Sequence, residues 1–352
     1  MSDDGARAGS GSGAGDGFAT SRAPSSAEPG AAAVHVITGK GGTGKSTIAG
    51  ALALRLATGG GRVLLVEVEG RPSIAATLGL REFPREPEKV ASALGGGEVH
   101  ACSLDAEAVL EDYMSSNVGS SLAIAAARRF GVTEFATAIA PGLRDVLLSG
   151  YIVAEARRGD WTAVVVDAPP TGRVARFLDV TRALGDIATS GPIHRQAADT
   201  AAFLRSASTR VHMVALAEPL PVRESLEALA ELSAAALPLG TVVANRILAD
   251  DVCDAALSLS HEDVSAVARD LAAREGDGAS SSEETLATAL LVELDDVAAR
   301  ARVQRRSLTD LAAEWPGPVA SVPALAGGVR IEGLYDVAEL LGDLDHREVR
   351  DA

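Results

Sequence analysis

Ala33-Val34-His35-Val36-Ile37-Thr38-Gly39-Lys40-Gly41-Gly42-Thr43-Gly44-Lys45-Ser46-Thr47 is the stretch on which the fold turns. A short apolar, β-prone run ends in glycines, and a helix-compatible sequence follows from Ser46 to Ala57. A glycine-rich loop between a strand and a helix start, closing on Lys-Ser, satisfies the phosphate-loop pattern in the context that pattern demands. Glycines let successive backbone N–H groups turn inward around a β-phosphate, and the helix N-terminus adds its dipole. Lys45 then reaches the β and γ oxygens and Ser46 ligates Mg²⁺, so Gly39 through Thr47 are the expected nucleotide-binding residues. The plain alternative is a ligand-free glycine turn. Strand, helix and Lys-Ser ending together argue against it.

Outward from the loop, Gly59-Gly60-Gly61 stops the first helix and Val63-Leu64-Leu65-Val66 follows, which makes a βαβ unit. Further continuous apolar runs occur at 163–166, 211–216, 241–244 and 319–322. Unbroken rather than alternating runs belong to strands covered on both faces. The expected class is therefore α/β, a doubly wound and mostly parallel sheet of the P-loop NTPase type with a helical insertion. Residues 1–30 are Gly, Ser and Ala with Pro24 and Pro29 and read as a disordered leader; 31–345 read as one domain and 346–352 as a tail. The long stretch between the second and third runs reads as mainly helical, with the insertion over about 103–160 and a further helical segment over about 181–208. Pro141 opens a helix in which Leu143, Val146, Leu147, Tyr151 and Ala154 share a face. Ala272 to Glu284 reads as an exposed loop, and Gly191-Pro192-Ile193-His194 as a helix break or a functional loop.

Composition narrows the function. A formal net charge of −16 over 352 residues argues against a nucleic-acid surface, which needs clustered Lys and Arg. Two cysteines, Cys102 and Cys253, are too few for a disulfide framework or a zinc site. No run approaches the ~18 apolar residues of a membrane helix, and the N-terminus lacks a basic start followed by an apolar run, so a cytoplasmic protein is expected. Of 32 Lys plus Arg only Lys40, Lys45 and Lys89 are lysine. Two of them within one loop mark a place that needs a compact charge on a flexible stem.

Lys-Gly-Gly-Thr-Gly-Lys-Ser, Lys40 to Ser46, resembles the deviant Walker A motif of the ParA and MinD partitioning ATPases, the nitrogenase iron protein and the ArsA-type ATPases. That resemblance implies a nucleotide-sandwich dimer in which Lys40 crosses to the nucleotide of the other subunit. Asp167-Ala168-Pro169-Pro170-Thr171-Gly172 looks like the switch of the ArsA-type branch, the arsenite-pump and tail-anchor-targeting ATPases. By that likeness Asp167 holds Mg²⁺ through water and Gly172 offers its N–H to the γ-phosphate. Ala217 to Ser225 resembles the branch's post-strand loop, Asn245 its adenine-reading asparagine, and Pro323-Ala324-Leu325 the loop over the other face of the base. An asparagine amide suits adenine because it offers a donor and an acceptor together. A turn-forming Asn and a plain turn are the alternatives at these two places. The likeness runs from residue 34 to about 340 and is closest to the actinobacterial ArsA-like ATPases that occur as paired paralogues.

Departures matter as much. Glu67-Val68-Glu69-Gly70-Arg71-Pro72 stands where the branch has Asp-Pro-Ala-His, and Glu69 aligns with the Asp that positions the attacking water. Glu is a methylene longer, and a ~1 Å misplacement can cost ~100-fold in rate. Cys102 and Cys253 cannot supply three thiolates for arsenite, no Cys-X-X-Cys is present, and three methionines are few for a client groove. The expectation is Mg-dependent ATP hydrolysis by a homodimer, or by a heterodimer with a paralogue, acting on a protein client or membrane partner. Lys40, Lys45, Glu69 and Asp167 carry the chemistry, and no zinc or arsenite site is expected. Two alternatives stand beside it: a non-catalytic ATP-binding scaffold, and a ParA- or MinD-like positioning ATPase. The mixed-charge stretch Asp343 to Arg350, which lacks a basic amphipathic anchor, weakens the latter.

Overall fold

The computed structural model describes residues 25–68, 73–105, 108–109, 141–180, 192–275, 279–325 and 328–342. Within them eight strands form one sheet: β1 (Ala33–Gly39), β2 (Arg62–Glu67), β3 (Glu88–Ser92), β4 (Glu98–Ser103), β5 (Ala163–Asp167), β6 (Thr209–Leu216), β7 (Leu239–Ile247) and β8 (Val319–Pro323). Their order is β3-β4-β2-β5-β1-β6-β7-β8. Every pairing is parallel except β3 with β4. The α/β class read from the unbroken runs is the class observed, and β5 shows why the runs are unbroken. Val164 and Val166 feed one core and Ala163 and Val165 the other, all of them buried.

Two helical layers cover the sheet. On one face lie α1 (Lys45–Ala57) and the helix Ile331–Leu340, whose Leu334 and Val337 meet Ile48 and Leu52. On the other lie α3 (Pro141–Arg157), α4 (Thr171–Leu178), α5 (Pro192–Leu204) and α6 (Pro219–Ala234), with Phe177, Phe203 and Leu229 in their common core. A short α2 (Ser73–Thr77) follows β2. Burying a Leu, Ile or Phe side chain contributes ~1.5–3 kcal/mol, so the sheet supplies a stiff platform.

Several expectations change. The stretch after β2 is not helical throughout: it carries the β3–β4 hairpin, whose strands escaped notice because Glu88-Lys89-Val90-Ala91-Ser92 is largely exposed and mixed in polarity. Its turn needs glycine twice over. Gly95 and Gly96 take φ of 78° and 87°, and a Cβ on Gly97 would collide with the Ala57 carbonyl at the end of α1. Most of the segment read as an insertion, residues 106–107 and 110–140, lies outside the described residues. Its last helix, α3, is a core helix: Val146, Leu148, Ile152 and Val153 pack with Val164 and Val166, while Ala154 faces solvent instead of sharing the buried stripe. Residues 25–30, read as leader, are tied down, since Glu28 accepts two hydrogen bonds from Arg157 at 2.9 and 2.8 Å and Ser25 bridges to Ser206. Helix runs to Glu275 and again from Ala279 to Glu314, so the expected 272–284 loop shrinks to 276–278, outside the described residues. Pro192 opens α5, which agrees with a helix break there, while residues 181–191 lie outside the described residues.

Candidate nucleotide site

The site lies at the carboxyl ends of β1, β5 and β7, where a doubly wound sheet leaves room at its switch in strand order. Leaving β1, the chain turns through Gly39 to Gly44 and enters α1. The glycines are there for different reasons. A Cβ on Gly39 would strike the Val214 carbonyl of β6, and one on Gly44 would strike the Asn245 amide. Gly42 has open space but a φ of 84°, which L side chains rarely adopt. The loop is closed on itself by the Lys40 carbonyl, which accepts from Thr43 Oγ1 at 2.9 Å, the Thr43 N–H at 3.4 Å and Lys45 Nζ at 3.4 Å. Helix α1 has Gly44 at its N-cap with no side-chain cap and no acidic residue in its first turn, so its positive end faces the loop. Ser46 and Thr47 sit half-buried in that first turn.

Asp167 ends β5, buried, opposite Ile37 of β1 and Glu67 of β2. Two carboxylate residues thus occupy neighbouring strand ends, Glu67 being buried as well. The peptide chain after Asp167 is pinned to β1 twice: the Ala168 N–H donates to the Ile37 carbonyl at 3.0 Å, and Thr38 Oγ1 donates to the Pro169 carbonyl at 2.8 Å. That fixes the entry into α4, whose second residue is Gly172. A Cβ on Gly172 would meet nothing within 4 Å, so the protein's own packing does not require glycine there. Glu69 lies outside the described residues.

Asn245 is buried on β7, and its Nδ2 donates to the Thr43 carbonyl at 2.7 Å. Arg246, with a φ of 57°, follows it at an irregularity in the ladder to β8. An asparagine here therefore braces the phosphate loop, a role that spacing alone did not suggest. Pro323 closes β8 opposite Ile247, one step past the pairing of Asn245 with Val322, so Asn245 and Pro323 share one end of the sheet. Sequence reasoning missed Glu224. It lies in α6, and its Oε1 accepts from Lys40 Nζ at 2.7 Å. The stretch Ala217 to Ser225 had drawn notice only as a resemblance.

Around the switch, Asp145 of α3 is buried near Arg173 and Arg176 of α4; burial pushes its carboxyl up, and the arginines oppose that. Both thiols are buried. Burial pushes Cys102, at the end of β4, up to about 12, and it raises Cys253, which sits beside Gln304, as well. Among the described residues no helix is long and apolar enough to cross a membrane, and no cluster of three His, Cys, Asp or Glu forms a metal nest.

Comparison with known proteins agrees with this geometry. Residues 33–198 match the family described as anion-transporting ATPase, the ArsA type. The chain is 52% identical over 219 residues to ATPase BagA of Mycobacterium tuberculosis, a match covering 60% of this chain and 64% of that protein. It is 26% identical over 155 residues to ATPase GET3 of Rhodotorula glutinis, 43% and 42% of the two chains. It is 25% identical over 148 residues to putative arsenical pump-driving ATPase 1 of Aquifex aeolicus, 42% and 37%. The matched stretch thus spans less than two thirds of the length of these relatives.

Proposed function

We propose that this chain, whose residues 33–198 match the ArsA-type ATPase family, binds ATP with Mg²⁺ and hydrolyses it as a nucleotide-sandwich dimer, with itself or with a paralogue. The observation that carries this reading is the convergence of Lys45, Asp167, Gly172 and Asn245 on one sheet end around a loop in which Gly39 and Gly44 leave no room for a side chain. The donor set fits the ligand. Inward amides and the α1 N-terminus suit phosphate oxygens, while a hydroxyl at Ser46 and a strand-end carboxylate at Asp167 suit a hard cation held partly through water. Bound there, Mg²⁺ would neutralise charge building on the β and γ oxygens.

The chain's own residues do the rest. Lys45 exchanges the Lys40 carbonyl for phosphate oxygens, and the Gly172 N–H donates to the γ-phosphate, where a side chain would have kept it away. Glu69 orients the attacking water. Asn245 and the Pro323 loop hold the base, with the Asn245 side-chain oxygen and its second N–H facing adenine. Lys40, donated to the partner's nucleotide, stabilises transition-state charge; a trans charge of this kind is worth ~10³ to 10⁵ in rate, or ~4–7 kcal/mol. ATP state reaches a protein client or membrane partner through the segment between β4 and α3.

A second reading is a scaffold that binds ATP without turnover beside an active paralogue, favoured by Glu69 standing for a shorter acid. Magnesium-dependent phosphate release by the purified chain, alone and with its paralogue, separates the two. Lys45→Ala should abolish turnover and Lys40→Ala should cut it at least ~100-fold. Unchanged turnover in Lys40→Ala would remove the trans lysine, and tight nucleotide binding with no turnover would favour the scaffold.

A further inference from the structure

The two lysines of the phosphate loop are sent in opposite directions. Lys45 folds inward onto the Lys40 carbonyl at 3.4 Å, while the Lys40 ammonium reaches out to Glu224 at 2.7 Å. The two ends of that ion pair differ in freedom. Helix α6 is anchored through buried Val222, Ser225, Leu226 and Leu229, so the Glu224 backbone on the same turn is fixed. The Lys40 backbone is also fixed, by the bonds to its carbonyl, but its ammonium rides on a four-carbon stem. The lysine can therefore leave and the carboxylate cannot follow it far.

From this geometry we infer that Glu224 is a positioning residue: it holds Lys40 against its own chain until a partner's nucleotide offers a stronger anion, and so sets how readily the dimer closes. This rests on the trans-lysine reading above. The pair is suited to the task by its weakness. Lys40 is 55% exposed and Glu224 30%, and exposed pairs of this kind shift an equilibrium by about two- to fivefold. A triphosphate presents several negative charges to the same ammonium, which one half-exposed carboxylate does not match.

The test compares the full-length chain with Glu224→Gln, a nearly isosteric exchange at a solvated position that leaves the anchoring face of α6 intact. Sedimentation with Mg²⁺ and a non-hydrolysable ATP analogue gives the dimer dissociation constant. Turnover against protein concentration gives the half-maximal point. Both should fall about two- to fivefold in Glu224→Gln, Glu224→Asp should restore most of the difference, and the effect should vanish in a Lys40→Ala background, where a merely structural role would persist. A nucleotide-dependent dimer that is unchanged or weaker in Glu224→Gln would overturn this inference alone. ATP turnover with no nucleotide-dependent dimer in the wild type would overturn the sandwich reading and this inference with it.

Discussion

The two ends of the sheet are built by different rules. At the carboxyl end, apart from the exposed Lys40–Glu224 pair, the contacts that shape the loop are buried and made by backbone or by neutral side chains: Thr38 on Pro169, Asn245 on Thr43, Gly39 against Val214. At the amino end, beside the tightly packed Gly97 and the buried hydroxyls of Ser206 and Thr209, several contacts are ion pairs open to water. Lys89 and Arg62 meet Glu98, and Arg157 meets Glu28. Neutral buried contacts fix geometry, because an unmade one leaves a desolvated group unpaired. Exposed ion pairs are adjustable and screened by salt. On the proposed function, the end that holds the nucleotide relies mainly on the first kind.

Glycine substitutions should break the contrast most visibly. Gly39→Ala drives a methyl into a strand carbonyl that has no room to shift, and the expected outcome is loss of folded protein or a stability loss above ~3 kcal/mol in urea. Gly44→Ala should displace Asn245 and abolish nucleotide binding while the sheet survives. Gly159→Ala, just before β5 at the other end, is the control: its φ is 79° but its Cβ position is open, so only ~1 kcal/mol of backbone strain is expected. Equal losses at Gly39 and Gly159 would show that the carboxyl end is no tighter than the rest.

Next in size is Asn245→Ala. It removes the donor to the Thr43 carbonyl, leaving a buried oxygen whose lost bond costs ~1–3 kcal/mol, which corresponds to about ten- to hundredfold in ATP affinity if the loop must reorder to bind. Titration with a fluorescent ATP analogue reads this directly. An unchanged affinity, with or without altered base preference, would separate the brace from the base reader.

How far these features were legible in the sequence depends on whether their cause is local. The phosphate loop was legible because glycine spacing, strand and helix start lie within 15 consecutive residues, Ala33 to Thr47. The five strands buried on both faces, and the largely exposed edge strand β8, announced themselves as apolar runs. Strand β3 did not, since an edge strand with Glu88 and Lys89 exposed has no reason to be apolar. Contacts between distant segments were beyond reach. Glu224 meets Lys40 across 184 residues. His35 and His212, 177 residues apart, stack inside the sheet with Nδ1 and Nε2 3.1 Å apart. Because the Thr241 N–H donates to His212 Nδ1, His212 carries its proton on Nε2 and His35 Nδ1 accepts it. Nothing in the spacing of either histidine implies that contact.

The smallest expected effect sits at the amino end and tests whether its ion pairs matter at all. Glu98 accepts from Lys89 Nζ at 2.9 Å and His100 Nε2 at 3.1 Å, with Arg62 at 3.8 Å. Lys89 foremost, and then His100, hold its carboxyl at about 2 against an ordinary 4.5. A carboxyl whose folded value is depressed binds fewer protons folded than unfolded in that window. Its stabilisation is therefore complete above pH 4.5 and is lost as pH falls toward about 2. Because Glu98 is 36% and Lys89 46% exposed, the pair is open to water and the contribution is small and shrinks further in salt. Glu98→Gln should leave the thermal midpoint at pH 7 within about 2 °C of wild type and flatten its fall between pH 4.5 and 2. A large loss at pH 7 would mean that the amino end, too, depends on fixed geometry, and the contrast between the two ends would dissolve.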